Sequence, residues 1–159
     1  MKHKIIETQH GDYTISTDPA KLDAAKAHAF LTQAHWSEGI PLEVLRKAMQ
    51  NSLCFGLYYK GEQVGMTRAV TDYATYAYLC DVYVLPEHRG KGLGQWLVEC
   101  VMTHPELQNL RRFTLATKDA HGVYARFGFT PLTAPERMME RHDPGVYLRL
   151  NAATLAAKS

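Results

Sequence analysis

The stretch VLPEHRGKGLG occupies residues 84–94 and joins the end of an apolar segment to the start of a strongly periodic one. Its three glycines allow backbone N–H groups to converge on one point, and a helix N-terminus adds the positive end of its dipole there. Arg89 and Lys91 add positive charge. The stretch is therefore suited to bind a phosphate or pyrophosphate, although glycines in such a turn can also serve backbone geometry alone.

Two familiar nucleotide-binding motifs are excluded in this stretch. The phosphate-binding loop of NTPases requires Gly-Lys followed by Ser or Thr, whereas Gly90-Lys91 is followed here by Gly92. The dinucleotide fingerprint GxGxxG requires a small residue where this chain has Gln95. A different kind of phosphate-binding turn is therefore needed to explain the glycines.

The residues before the turn predict a strand, two helices, a hairpin and a long strand. The segment 75–85 is rich in aromatic and β-branched residues and has Asp81 as its only charge, which predicts a central strand covered on both faces. The other predicted elements are a strand at 13–16, helices at 19–30 and 41–49 joined by a loop through Trp36, and a hairpin of strands 54–59 and 63–70.

The residues after the turn predict alternating helices and strands. Apolar residues recur at helical spacing from Leu93 to His104, which predicts the clearest helix of the chain. A strand at 113–117, a helix at 120–127 and closing strands at 129–132 and 146–150 are predicted next. The order of elements predicts a mixed α/β (α+β) sheet with helices on its faces, in one domain spanning residues 1–159.

Composition excludes several classes of protein. With 159 residues, 46% of them hydrophobic and 21% charged, the chain is typical of a globular domain and not of a disordered chain. A formal net charge of +2 is too small to favour a nucleic-acid partner, and no apolar run is long enough to span a membrane. The start of the sequence turns polar before an apolar signal segment develops, so we expect a cytoplasmic location. The three cysteines form no CxxC pattern and the eight histidines have no metal-ligand spacing, so we expect reduced thiols and no metal.

Two motifs at a characteristic separation resemble the GNAT superfamily of acetyl-CoA-dependent N-acetyltransferases. The signature Gln/Arg-x-x-Gly-x-Gly/Ala is matched by Arg89, Gly92 and Gly94. The second motif, Asn-x-x-Ala-x-x-Leu-Tyr-x-x-x-Gly-Phe, is similar to TKDAHGVYARFGF at residues 117–129, with Thr117 in place of asparagine and valine in place of leucine. The resemblance covers roughly residues 53–132 and implies a mostly antiparallel, splayed sheet flanked by about four helices.

The resemblance also implies where acetyl-CoA is held. In this family the pantetheine arm lies between two splayed strands and contacts backbone groups, while the glycine turn wraps the pyrophosphate. An exposed strand edge can satisfy an amide-bearing arm in this way. The implied cofactor-binding residues are Val82, Tyr83, Val84, Arg89, Gly90, Lys91, Gly92, Leu93, Gly94 and Tyr124.

Tyr124 and Asp81 are the candidate catalytic residues. By its motif position Tyr124 would protonate the leaving thiolate, since its reference pKa of about 10 is close to the value of about 8.5 for a thiol; the alternative is a tyrosine that only packs on the sheet. Asp81 is the candidate base, because a carboxylate in a buried strand needs a partner. That partner could be the substrate ammonium, a water leading to it, or a structural arginine or backbone donor.

The predicted function is transfer of the acetyl group of acetyl-CoA to a primary amine by direct attack in a ternary complex. A small-molecule amine is the preferred acceptor, with Trp36, Asp72 and Tyr78 as weaker candidates for binding it. The alternatives are a non-catalytic acyl-CoA-binding or regulatory domain, a protein-lysine or N-terminal acetyltransferase, and an enzyme using longer acyl chains. Either a monomer or a homodimer is compatible with the sequence.

Overall fold

The structure is a computed structural model that describes residues 3–158. Over this range the chain forms six strands and five α-helices. They are β1 (Glu7–His10), β2 (Tyr13–Ser16), α1 (Ala24–Leu31), α2 (Leu42–Gln50), β3 (Leu53–Tyr59), β4 (Glu62–Thr71), β5 (Tyr76–Val84), α3 (Leu93–Thr103), β6 (Arg112–Leu115), α4 (His121–Ala125) and α5 (Val146–Lys158). No helix in residues 3–158 is long and apolar enough to cross a membrane.

The six strands form one mixed sheet in sequential order, which confirms the predicted fold class. Strands β1 to β5 pair as antiparallel neighbours, and β6 pairs in parallel with β5. The crossover from β5 to β6 runs through the glycine turn and α3, as a parallel connection requires. The strand predicted to be central is β5, and it is the fifth of the six strands.

A helical layer covers each face of the sheet. On one face α3 buries Leu97 and Val101 against β3 residues such as Phe55. On the other face α1 and α2 bury Leu31 and Leu45 together with Met66 of β4. Because both faces are covered, β3 has an almost continuous run of buried residues instead of a polar alternation.

A β-bulge in β5 opens the sheet beside β6. Opposite β4, Met66 faces Tyr83 and Arg68 faces Cys80, so β5 contains one extra residue at Asp81, whose φ is +55°. Pairing between β5 and β6 extends only to Leu79 and Leu115 in the described chain. Since a bulge bends its strand and raises the local twist, the end of β5 turns away from β6 and leaves a gap between them.

The predicted closing strand at residues 129–132 is wrong. This segment has no strand structure; the Phe129 ring meets Phe113 of β6 edge-on at 5.6 Å, and cavities of about 590 and 580 Å³ are lined by both segments. Pro131 lacks the N–H that a paired strand would donate, and the short β6 offers only four residues as a template.

The predicted closing strand at residues 146–150 is also wrong, because this segment is the first part of α5. Its short alternation of apolar residues is followed by NAATLAAK, which is rich in good helix formers. Arg149 also pairs with Asp143 just before the helix. Helix α5 packs through Tyr147 against the cluster that α1 and α2 form.

Candidate active site

The glycine turn leads directly into the first turn of α3. Gly90 and Gly92 have φ values of +80° and +76°, in the left-handed region that favours glycine. Gly92 is the N-cap of α3, and no side chain caps this end of the helix. The backbone N–H groups of the first helical turn are therefore free of side-chain acceptors, and the helix dipole adds positive potential at the same point.

Gly94 has a different explanation from the two left-handed glycines. It is the second residue of α3, and it is not among the glycines with a positive φ. A Cβ atom at Gly94 would meet no heavy atom within 4 Å, so close packing inside the protein does not require glycine there. A glycine that neither geometry nor packing requires is consistent with a ligand that approaches the helix backbone closely.

The two basic side chains of the turn are exposed and differ in their contacts. Arg89 Nε donates to the backbone carbonyl of Val84 at 2.9 Å, which braces the end of β5 against the turn. The rest of the guanidinium remains available at the surface. Lys91 Nζ lies 5.9 Å from the centre of the Tyr13 ring. Both cations flank the uncapped helix end, which suits an anionic group.

Two clefts meet at the opening between β5 and β6. The first, called the turn cleft, has a volume of about 360 Å³ and is lined by Val82, Val84, His88, Arg89, Gly90, Gly92, Leu93, Gly94, Gln95, Val98, Val123 and Tyr124. The second, called the bulge cleft, has a volume of about 270 Å³ and is lined by His35, Trp36, Tyr78, Leu79, Cys80, Asp81, Val82, Leu115, Ala116, Thr117, Lys118, Asp119, Ala120 and Tyr124. Val82 and Tyr124 line both clefts and so mark their junction.

Tyr124 lies in α4 with its ring half-buried against the core and edge-on to Phe129 at 6.1 Å. Burial raises the pKa of the Tyr124 phenol above its ordinary value. Its hydroxyl makes no hydrogen bond to any residue in the described range 3–158. Thr117, which replaces the asparagine of the family motif, accepts a hydrogen bond from Ala120 N at 3.0 Å and so holds the start of α4. The Tyr124 hydroxyl is thus a hydrogen-bond donor without an acceptor in residues 3–158.

Asp81 is 7% exposed, and both of its carboxylate oxygens are occupied. Arg68 Nε donates to Oδ2 at 2.6 Å, and Trp36 Nε1 donates to Oδ1 at 3.0 Å. The sequence left several possible partners open for Asp81. The structure shows that the partner is an arginine, Arg68, and that the Trp36 indole is a second donor. Whether Asp81 also acts as a base stays a prediction.

The remaining predicted residues fall into three places. Trp36 and Tyr78 line the bulge cleft together with Asp81. Tyr83 points its side chain into the other core, where it stacks on Phe30 at 4.3 Å, so only its backbone is near the clefts. Asp72 is not among the residues that line either cleft and instead organises the turn between β4 and β5.

Asp72 should matter for stability and not for turnover. Its Oδ1 accepts hydrogen bonds from the backbone of Ala74 and Thr75 at 2.9 and 2.7 Å, and its Oδ2 accepts one from the Thr75 hydroxyl at 2.5 Å. The Thr75 hydroxyl and the backbone N–H groups hold the pKa of Asp72 well below its ordinary value of 3.8. Its stabilising effect is therefore complete above the unfolded-state pKa and is lost as the pH falls.

We expect Asp72→Ala to lower Tm at pH 7 and to leave kcat unchanged, and the Tm difference from wild type to shrink below about pH 4. Asp72→Asn keeps one acceptor oxygen and should show a smaller loss of Tm. Thermal unfolding across pH, together with steady-state kinetics, measures both effects. A fall in kcat at unchanged Tm would instead indicate that Asp72 binds the acceptor, as the sequence suggested.

The site geometry agrees with comparisons to known proteins. Residues 20–129 match the model of the acetyltransferase (GNAT) family. This chain belongs to the GNAT family. A GNAT-family protein of Xanthomonas campestris pv. campestris, provisionally named an acetyltransferase, is 52% identical, with a TM-score of 0.83 over 85% of this chain and 96% of that one. A protein of Gibberella zeae, also provisionally named an acetyltransferase, is 37% identical over 73% of this chain and 77% of its own length.

A more distant structure shows the GNAT fold alone. A protein of Clostridium acetobutylicum solved with acetyl-CoA is 12% identical and superposes with a TM-score of 0.58, over 87% of this chain and 95% of that one. Two larger cavities lie beside these clefts. The cavities of about 590 and 580 Å³ lie along β6 and the segment after α4, and neither is lined by the glycine turn, but the second is also lined by Tyr124.

Sequence reasoning missed two features of this GNAT site. The first is Arg68, the partner of Asp81. It is the one charged residue in the interior of β4, and a lone charge in an apolar strand is the same signal that identified Asp81 in β5. The bulge at Asp81 carries no glycine or proline that would mark it in the sequence. Its position is visible only from the pairing of β5 with β4.

Proposed function

We propose that this protein is an N-acetyltransferase that uses acetyl-CoA and a small primary amine, which meet at the junction of the two clefts. The observation that carries the proposal is Tyr124, a half-buried phenol with no protein acceptor, placed where the turn cleft joins the bulge cleft. A hydroxyl without a protein acceptor can donate a hydrogen bond to a ligand at this junction. A proton donor held at this junction suits departure of a thiolate.

The residues of the turn cleft fit acetyl-CoA. Gly90, Gly92 and Gly94 leave open space at the uncapped start of α3, and Arg89 supplies charge for a pyrophosphate. The end of β5 beyond Leu79 lacks a partner strand on the side of β6, so backbone groups near Val82 can hold an extended amide-bearing arm. Acetyl-CoA supplies a thioester whose acetyl group passes to nitrogen as the carbon–sulfur bond breaks.

Each protein group then has a defined task. Tyr124 holds a proton at its phenolic oxygen and gives it to the departing sulfur, and solvent in the open cleft returns a proton to the tyrosine. The amine must attack in its neutral form, so its ammonium first releases a proton to water, and the nitrogen releases a second proton to water as the amide forms. The bulge cleft orients the amine beside Val82, which brings the reacting atoms together.

Direct attack is favoured over an acetylated enzyme. Cys80 is the only cysteine that lines the bulge cleft, and burial raises its pKa to about 12. The reactive form of a cysteine is the thiolate, which is scarce near neutral pH at such a pKa. Cys80 is therefore a poor nucleophile, and a ternary complex is the simpler route.

The proposal is tested by incubating the protein with acetyl-CoA and a panel of small amines while free thiol is measured. Amine-dependent thiol release, with the acetylated amine identified by mass spectrometry, is the expected result. A lysine peptide and a peptide with a free N-terminus test the protein-acetyltransferase alternatives in the same assay. Binding of acetyl-CoA without thiol release from any acceptor would support a non-catalytic binding domain instead.

Arg89→Ala should weaken binding of acetyl-CoA more than it slows the bound complex, because a phosphate contact acts in the ground state and the transition state alike. Loss of a charge-assisted hydrogen bond should raise KM for acetyl-CoA by roughly 10-fold or more. Arg89→Lys keeps the charge, so its KM for acetyl-CoA should lie between those of wild type and Arg89→Ala. Steady-state kinetics at several salt concentrations measures the effect, and a fall in kcat at constant KM would contradict it.

A further inference from the structure

Trp36 presents its indole ring to the bulge cleft while remaining 46% exposed to solvent. Exposed tryptophans are usually free to change rotamer, but this ring is anchored by the bond from Nε1 to the Asp81 carboxylate. Asp81 is held in turn by the partly buried Arg68, whose Nη1 also donates to Ser52 Oγ at 3.0 Å. The indole is thus tied through this ion pair to β4 and β5.

The loop that carries Trp36 is held from its other side as well. Ser37 Oγ donates to the Leu31 carbonyl at 2.6 Å, and His28 Nε2 lies 2.8 Å from the Ile40 carbonyl. Asn151 of α5 donates to the Gly39 carbonyl at 2.8 Å. Helix α5, which replaces the strand predicted at its start, therefore braces this loop. A large ring held rigidly at the mouth of a cleft is a recognition surface that loses little entropy on binding.

Two further rings line the bulge cleft beside Trp36. His35 meets the Trp36 ring edge-on at 5.1 Å, and Tyr78 is also among the lining residues. The Asp81 charge is paired with Arg68, and the exposed Lys118 and Asp119 carry opposite formal charges. The rings are therefore the feature of the cleft that points to a class of acceptor. The cleft of about 270 Å³ adjoins the cavity of about 580 Å³ at Leu115, Ala116 and Tyr124, which leaves room for the ring of an acceptor.

From this arrangement we infer that the acceptor is a primary amine bearing an aromatic ring, which stacks on Trp36 so that its amino group reaches the junction at Val82 and Tyr124. The inference rests on the proposed function and names the substrate class of the same site. In it, Trp36 determines specificity, and Asp81 is a positioning residue that orients the indole.

The test compares 2-phenylethylamine with 2-cyclohexylethylamine, two primary amines of similar length and bulk that differ in aromatic character. Their dissociation constants are measured by calorimetry, with and without coenzyme A, on wild type, Trp36→Phe and Trp36→Ala. We expect wild type to bind the phenyl amine about 2- to 10-fold more tightly. This factor corresponds to the energy that an aromatic pair contributes in addition to its buried area. Trp36→Phe should keep part of this ratio, and Trp36→Ala should bring it close to one.

The binding ratio separates this inference from the proposed function. Equal affinities in wild type, or a preference that survives in Trp36→Ala, would overturn the aromatic specificity even if both amines were acetylated. A phenyl preference that depends on Trp36, without thiol release from acetyl-CoA, would instead overturn the proposed function and leave the inferred ligand class standing.

Asp81→Asn tests the positioning role separately. Asparagine keeps an acceptor oxygen for the indole but removes the negative charge. A positioning role predicts that the ratio of the dissociation constants of the two amines is kept. It also predicts a small fall in kcat of the same size for both amines. If turnover of both amines instead drops by about 100-fold or more, with the ratio intact and the protein folded, Asp81 is the base and the positioning role is overturned.

Discussion

Replacing Tyr124 by phenylalanine should slow turnover by about 10²- to 10⁴-fold, the usual range for general-acid catalysis, with little change in KM for acetyl-CoA. The substitution keeps the ring that packs edge-on to Phe129 and removes a hydroxyl that has no partner in residues 3–158. Thermal stability should therefore change little, since no hydrogen bond is lost. Steady-state kinetics and thermal unfolding on the same preparations measure the two effects.

The pH profile offers a second measurement of the same residue. Burial raises the pKa of Tyr124 above its ordinary value of 10, so the phenol stays protonated through neutral and mildly alkaline pH. Wild-type kcat should therefore hold through mildly alkaline pH and decline only at a higher pH than that at which an ordinary tyrosine loses its proton, and the Phe variant should lack this decline.

Tyr73→Phe is the matched control for Tyr124→Phe. Tyr73 is also half-buried, burial raises its pKa, and its hydroxyl has no hydrogen-bond partner in the described chain, but it lies in the turn between β4 and β5. This control should keep full activity. If Tyr124→Phe also kept full turnover and the same alkaline decline, Tyr124 would have no part in the reaction and the non-catalytic alternative would gain support.

Gly92→Glu should abolish the rise in Tm that acetyl-CoA produces, because it places a carboxylate in the space where the phosphates would lie. A Cβ at this position meets no protein atom within 4 Å, so the side chain has room and the cost to the fold is the strain of its φ of +76°. Repulsion between like charges about 4 Å apart near a protein surface is worth about 4 kcal/mol, which corresponds to a loss of affinity on the order of 10³-fold. Thermal shift with increasing acetyl-CoA measures it.

Gly61→Glu separates this electrostatic effect from backbone strain. Gly61 has a φ of +86° in the turn between β3 and β4, with open space around its Cβ, so both substitutions force a side chain into the left-handed region. The control should lose some stability but keep the full response to acetyl-CoA. Unchanged affinity in folded Gly92→Glu would remove the glycine turn from the cofactor site.

Much of the site could be predicted because its signals are local. Gly90, Gly92 and the start of α3 are adjacent in sequence, so their convergence follows from a turn entering a helix. Tyr124 follows in the same way from its fixed distance to the Gly-Phe pair at 128–129. The helical stripe of α3 and the hairpin of β3 and β4 also depend on periodicity within one element, and both are confirmed.

The two predicted closing strands failed for the opposite reason. Short apolar alternation does not distinguish a strand from the start of a helix, and whether a segment joins a sheet depends on the edge it meets. Val146 and its neighbours continue into an alanine-rich helix, and Pro131 leaves a donor missing beside β6. The wrong prediction at residues 146–150 also concerns the candidate site, because α5 braces the loop that carries Trp36.

The sequence by itself determined the family, the mixed sheet and the glycine turn, since these follow from motifs and periods within short segments. Only the tertiary structure decided how the acceptor side is built. The bulge at Asp81 shifts the alternation of β5, so that Leu79 and Tyr83 enter cores on opposite faces. It also brings that carboxylate to Arg68 and Trp36, 13 and 45 positions away in the chain. Contacts across such separations are set by strand register and helix packing, which no local pattern encodes.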